Sequence, residues 1–215
     1  MKKLTNIIGV FIIGCLTLGA LWAQAPNTLT KEEAAAGWKL LFDGATLNGW
    51  EPHQAAATEP AATEWGVADG AIFCTGNRRG WLGTDGIFSD FNLKIQFRVG
   101  AKTNSGVFLR SQKTGGIPAE TGYELQIWDF RPTYKTGALV NAIEPFDTTT
   151  PKILADQWNS YDITAEGDHF VVVLNGKKIL DGQNSKHSSG VVGLQYNTGG
   201  GKVEFRDIKI RAIKH

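Results

Sequence analysis

Three short stretches of the chain place carboxylate, guanidinium, amide and indole groups at strand-like spacing. In Asn104-Ser105-Gly106-Val107-Phe108-Leu109-Arg110, Val107 and Leu109 share one parity, while Asn104, Gly106, Phe108 and Arg110 share the other. In Tyr123-Glu124-Leu125-Gln126-Ile127-Trp128-Asp129, Leu125 and Ile127 point one way and Glu124, Gln126 and Trp128 the other. In Gly193-Leu194-Gln195-Tyr196-Asn197, Gln195 and Asn197 oppose Leu194, although Asn197 directly precedes Thr198-Gly199-Gly200-Gly201 and also suits a turn. If the strands are neighbours, these groups share one surface. Amides and carboxylates hydrogen-bond hydroxyl groups, and an indole stacks on the C–H face of a sugar ring, so the set fits a carbohydrate. A Glu beside an Arg can also be an acid or base tuned by its partner, with Glu124 as base and Arg110 orienting it. Asp129 lies on the other parity but near a strand end and is the reserve carboxylate. The same alternation equally describes a solvated outer face carrying one Glu–Arg ion pair.

Other chemistries find less support. Of the four histidines, His53 and His187 lie in polar stretches, His169 follows a turn and His215 is terminal. None stands at ligand spacing with a second ligand, so no metal is expected in the site. Catalytic triads and phosphate-binding glycine motifs are absent from the sequence, and no cofactor is expected. Acidic loop residues such as Asp147 leave room for a structural Ca²⁺. Cys74, at the end of an apolar run and without a local His, reads as a small buried hydrophobe. With 22 basic against 21 acidic side chains and no basic run, nothing points to nucleic acid or an anionic membrane.

The elements that would position the site are strands. Phe91–Val99 alternates apolar and polar residues over its whole length. Asp69-Gly70 and Asn175-Gly176 sit between apolar runs and predict tight hairpins. Further strands are expected at Trp38–Phe42, Ser105–Ser111, Gly122–Asp129, Trp158–Ala165 and Gly190–Tyr196. Val203 and Phe205 share one parity, Ile208 and Ile210 the other, so a β-bulge is expected near Arg206-Asp207. Thr30-Lys31-Glu32-Glu33 reads as a capping box opening one short helix through Ala36. Long loops are expected at His53–Glu64 and Phe130–Pro151. About a dozen short strands with Gly-rich turns, 26 glycines and one capped helix make an antiparallel β-sandwich or barrel.

The N-terminus reads as an export signal. Lys2 and Lys3 precede an apolar run from Leu4 to Leu21, and Ala23-Gln24-Ala25 supplies small residues for cleavage after Ala25. Residues 26–215 then form one domain with no membrane span, periplasmic or extracellular. Ile13-Gly14-Cys15 offers lipoprotein processing as a second reading.

Several segments together resemble the 3-keto-disaccharide hydrolase domain family. They are Leu41-Phe42-Asp43-Gly44 with Leu47-Asn48-Gly49-Trp50, Trp65-Gly66-Val67-Ala68-Asp69-Gly70, and Asn104 through Arg110. Gly122 through Ile127, Gln157-Trp158-Asn159, Gly193-Leu194-Gln195 and Glu204-Phe205-Arg206-Asp207-Ile208 follow in order. The resemblance implies a concanavalin-like jelly-roll sandwich with its site on the concave face. It also implies an oligosaccharide or glycoside substrate whose C3 is oxidised to a ketone. On that resemblance Glu124 and Arg110 are expected to be catalytic, and Asn104, Gln126, Trp128 and Gln195 to bind substrate. Many members carry a His shortly after the Gly-Leu-Gln segment, where this chain has Tyr196-Asn197. A non-catalytic carbohydrate-binding module of the same fold is the alternative.

Overall fold

The structure is a computed structural model describing residues 24–54, 64–76, 79–113, 118–148, 152–197 and 201–215. The expected leader, all but its last two residues, lies outside these, as does most of the expected loop at 53–64. The chain enters through helix α1 (Lys31–Ala35), closed by the capping box in which Glu33 N donates to Thr30 Oγ1 and Thr30 N to Glu33 Oε2. Strands β1 (Lys39–Leu40), β2 (Trp50–Gln54), β3 (Glu64–Ala68), β4 (Ala71–Thr75), β5 (Gly80–Thr84), β6 (Phe91–Val99) and β7 (Ser105–Ser111) follow. After a four-residue helix α2 (Pro118–Thr121) come β8 (Tyr123–Ile127), β9 (Asn159–Glu166), β10 (His169–Leu174), β11 (Lys177–Gln183), β12 (Val191–Tyr196) and β13 (Val203–Ala212).

These strands form two antiparallel sheets. One runs β11-β10-β9-β6-β13-β4-β3, with β1 added on β13; the other runs β2-β5-β12-β7-β8. Alternation explains the larger sheet. Along β6, Phe91, Leu93, Ile95, Phe97 and Val99 are buried in the core, while the residues between them are half-buried on the outer face. The inner residues Val107, Leu109, Leu125, Ile127, Val192 and Leu194 of the smaller sheet complete that core. Cys74 is part of it, and burial pushes its thiol up to about 12.

Both expected hairpins form. Asp69 and Gly70 have φ of +51° and +70°, and Asn175 and Gly176 +50° and +79°, the pair of positive angles that a tight two-residue turn needs. The β13 bulge forms as well: its pairing with β6 shifts between Arg206 and Lys209, with Asp207 at φ +52°, so Phe205 and Ile208 are both buried. The Asp207 N–H donates to Asn27 Oδ1 at 2.7 Å, tying the segment before α1 onto the bulge.

Three expectations change. β1 is two residues long rather than five. β2 and β5 were not anticipated as strands, and they bring in His53 and Trp81. The stretch from Phe130 is not free of the sheet. Val140 N donates to Glu124 O (2.9 Å) and Gln126 N to Ala138 O (3.0 Å), so it covers the open edge of β8.

The two sheets differ in their outer faces. Every residue of β5, β7 and β8 is buried, on both parities. Over β5, β7 and β8 the outer face of the smaller sheet is therefore a buried floor and not the freely solvated face that alternation alone allowed.

Candidate functional site

Register on the smaller sheet lines up residues of one parity in rows across it. His53 pairs with Trp81, Trp81 with Gln195, Gln195 with Gly106, and Gly106 with Gln126. The next row holds Gly83, Gly193, Phe108 and Glu124. At one end the paired row is Gly80, Tyr196, Ser105 and Ile127; Arg79, Asn197, Asn104 and Trp128 lie one step beyond it. An open pocket of about 280 Å³ covers these rows, lined by Glu124, Gln126, Gln195, Asn104, Trp128, Trp81, Phe108, Tyr196, Asn197, Arg79 and Arg131. Five of the six expected site residues thus share one cavity: Asn104, Glu124, Gln126, Trp128 and Gln195.

Glycines shape the floor. Glu124 leans over Gly106 to accept a hydrogen bond from Gln195 Nε2 at 3.1 Å. A Cβ at Gly106 would stand 3.1 Å from Glu124 Cγ and 3.2 Å from Oε1. The ring of Trp81 lies over Gly83 and Gly193, where a Cβ would come within 2.5 Å and 3.0 Å of it. Phe108 meets Trp81 edge-on at 6.0 Å, and His53 stacks on it at 4.1 Å.

Glu124 is 7% exposed and is the only carboxylate among the described residues lining the pocket. Burial raises its pKa to about 7, opposed by the Arg131 charge and the Gln195 hydrogen bond. The group is close to half-ionised at neutral pH, as a general base should be. The amides supply complementary groups. Gln126 Oε1 accepts from Ile127 N, leaving its NH₂ as donor. Asn104 Oδ1 and Gln195 Oε1 are buried acceptors without a partner among the described residues. Buried acceptors of this kind are costly unless a donor arrives, and sugar hydroxyls are such donors. Tyr196 stands where a His was expected from the resemblance; its hydroxyl donates to Gly76 O at 2.6 Å and is engaged.

Two expectations need correction. Arg110 does not orient Glu124. The register of β7 shifts beside it, its φ is +52°, and its side chain turns to the inner side over Phe170, 5.2 Å from the ring centroid. There Nε donates to Ser89 O, Nη1 to Gly167 O and His187 O, and Nη2 to Asp90 Oδ1 at 3.0 Å. Asp129 is not a reserve base either: its Oδ2 accepts from Lys152 N (2.6 Å) and Ile153 N (2.8 Å) and pins that loop. The cation near Glu124 is Arg131, which sequence parity could not place because it follows the strand. Among the described residues no group of three or more His, Cys, Asp or Glu side chains could hold a metal ion.

Arg131 holds the Glu124 pKa down, so Arg131→Gln is expected to raise it further. The ionisation in a pH profile of kcat/KM then moves to higher pH. Each unit of displacement removes about tenfold of the activity measured below it. An unmoved profile would detach Arg131 from Glu124.

The chain resembles known proteins in sequence and fold. A family model for the 3-keto-alpha-glucoside-1,2-lyase-like domain matches residues 37–211. A protein named 3-keto-disaccharide hydrolase from Bacteroides thetaiotaomicron is 31% identical over 102 residues, which are 44% of this chain and 34% of that protein. The chain thus matches about a third of that relative's length. The structure of a candidate glycosyl hydrolase from Parabacteroides distasonis superposes with a TM-score of 0.73 at 25% identity, covering 88% of this chain and 100% of that one. A carbohydrate-binding module from Bacillus subtilis (18% identity, TM-score 0.58, 76% and 96% covered) shares the fold. So does a metal-free lectin from Griffonia simplicifolia (11%, 0.54, 78% and 94%). The fold is the concanavalin-like jelly-roll sandwich.

Proposed function

The chain belongs to the 3-keto-alpha-glucoside-1,2-lyase-like domain family, and on that premise we propose that it cleaves the glycosidic bond of 3-keto-glycosides or 3-keto-disaccharides by elimination and hydration. A ketone at C3 acidifies the proton on C2 and places the C1 oxygen β to the carbonyl. Glu124 takes the C2 proton, and the resulting enolate expels the C1 substituent. The departing oxygen takes a proton from water. The hydroxide so formed adds to C1, while C2 recovers its proton from Glu124. The Gln126 amide and the positive potential of Arg131 favour the enolate oxygen. Asn104 and Gln195 hold hydroxyls, and Trp128 borders the ring.

The observation that carries this reading is that the one carboxyl lining the pocket among the described residues, Glu124, is buried and poised near neutrality. An ordinary glycosidase needs two carboxyl groups flanking the bond, whereas this elimination needs one base. The protein acts, in this reading, outside the cytoplasm with Pro26 as its first residue.

The test pairs a chromogenic 3-keto-glucoside with the corresponding unmodified glucoside. Release is expected from the keto substrate alone, with kcat/KM rising as pH passes through about 7 because the base must be ionised. Equal release from both would overturn the reading. Saturable binding without product would make the domain a non-catalytic carbohydrate-binding module.

A further inference from the structure

The charges around the pocket say something about the substrate beyond its keto group. Arg79 and Arg131 both line it, and Glu124, the one carboxylate there among the described residues, is close to half-neutral at pH 7. Among the described residues no hydrogen bond or ion pair occupies either guanidinium; Arg131 only overlies the Tyr134 ring at 6.0 Å. The cavity is thus positively charged. Neutral hydroxyls do not require this, since amides alone satisfy them, as Asn104, Gln126 and Gln195 are placed to do, and the enolate charge that Arg131 favours leaves Arg79 without a role in the cleavage step. Guanidinium groups match oxyanions, whose charge-assisted hydrogen bonds are about twice as strong as neutral ones.

The rows fix where the charge falls. Arg79 lies one step past the Gly80–Tyr196–Ser105–Ile127 row, across the pocket mouth from Trp128 and Arg131. Glu124 lies two same-face rows further in, each row being about 7 Å along a strand. Two rows make about 14 Å between backbones, which the inward reach of the side chains shortens, so an anion at the rim sits one to two sugar units from the carbon that loses its proton, on the leaving group or on an exocyclic arm of the keto sugar.

We propose that the site selects glycosides carrying a negatively charged oxygen substituent, held at the rim by Arg79 with Arg131 adding positive charge. This rests on the reading of the cavity as a sugar site, and it concerns selection, not the cleavage step.

Calorimetric titration of the purified protein tests it with 4-nitrophenyl glucuronide and 4-nitrophenyl glucoside in matched anomers, none of them a 3-keto sugar. A 6-sulfated glucoside separates sulfate from carboxylate recognition. The anionic ligands are expected to bind at least tenfold tighter than the neutral one at low ionic strength, with the preference shrinking as salt rises. Arg79→Gln is expected to lower the ratio and Arg79→Glu to reverse it. A merely structural Arg79 would leave the ratio unmoved in both variants. Equal affinities, or no measurable binding by either class, overturn the proposal. Turnover of a neutral 3-keto-glucoside without anionic preference would sink this inference and leave the cleavage reading standing. Anionic preference without turnover of any 3-keto-glycoside would do the reverse.

Discussion

Replacing Glu124 by Gln is expected to lower turnover of a 3-keto-glycoside by about 100- to 10,000-fold, the usual contribution of a positioned general base. Gln keeps the shape of the side chain over Gly106 and can still meet Gln195, so the pocket should survive the change. The same variant should become more stable than the parent at high pH. The carboxyl pKa is about 7 in the fold against an ordinary value of 4.5, because ionisation inside the sheet cover loses hydration. A raised pKa favours the folded state fully below the unfolded value, and that advantage is lost as pH climbs through about 7. Above that pH the parent carries a buried charge costing about 3 kcal/mol, and the Gln variant does not. Thermal unfolding at pH 8.5 should place the variant about 6–12 °C higher, with the two proteins converging near pH 4 to 5. Full turnover by the variant would remove Glu124 from the mechanism. Loss of turnover without the stability gain would mean that the carboxyl is better solvated than its 7% exposure implies.

The second large effect lies away from the pocket. Arg110→Met should destabilise the domain by about 3–5 kcal/mol, since it leaves several part-buried acceptors without a donor at about 1–3 kcal/mol each. The side chain is fully buried, and its loss would leave the Ser89, Gly167 and His187 carbonyls without the donor that now satisfies them, while Asp90 would keep Gly167 N and His215 as partners. In thermal unfolding this corresponds to a fall of roughly 6–20 °C. The folded fraction should keep the parental pH profile, because Arg110 faces the core and not Glu124. A shifted profile with unchanged stability would restore Arg110 to the catalytic group.

These two residues also show how far the sequence carries. The parity of Glu124, Gln126, Asn104 and Gln195 is visible because β7, β8 and β12 alternate, and period-two alternation dictates facing. Arg110 continues that parity on paper, yet a positive φ at a non-glycine residue breaks the ladder and turns it inward. No local residue type announces that bulge. The β13 bulge was legible because two apolar pairs of opposite parity cannot share a face in a regular strand. β5 is not marked in the sequence because Gly80-Trp81-Leu82-Gly83-Thr84 lacks the β-branched run that signals a strand, Gly83 serving instead to seat the Trp81 ring. Arg79 and Arg131 lie outside strands, where parity has no meaning, and only the assembled cavity joins them to the site.

The strand order of the smaller sheet has a consequence for biogenesis. β12 is made late in the chain but lies between β5 and β7, and it carries Gln195 to Glu124. Until residues 191–196 arrive, β5 and β7 cannot join, and each presents an unpaired edge able to recruit other chains. A nascent or truncated chain ending before Gly190 would therefore hold every residue of the pocket up to Arg131 and still have no pocket. Closure of the site and concealment of the aggregation-prone edges are one late event.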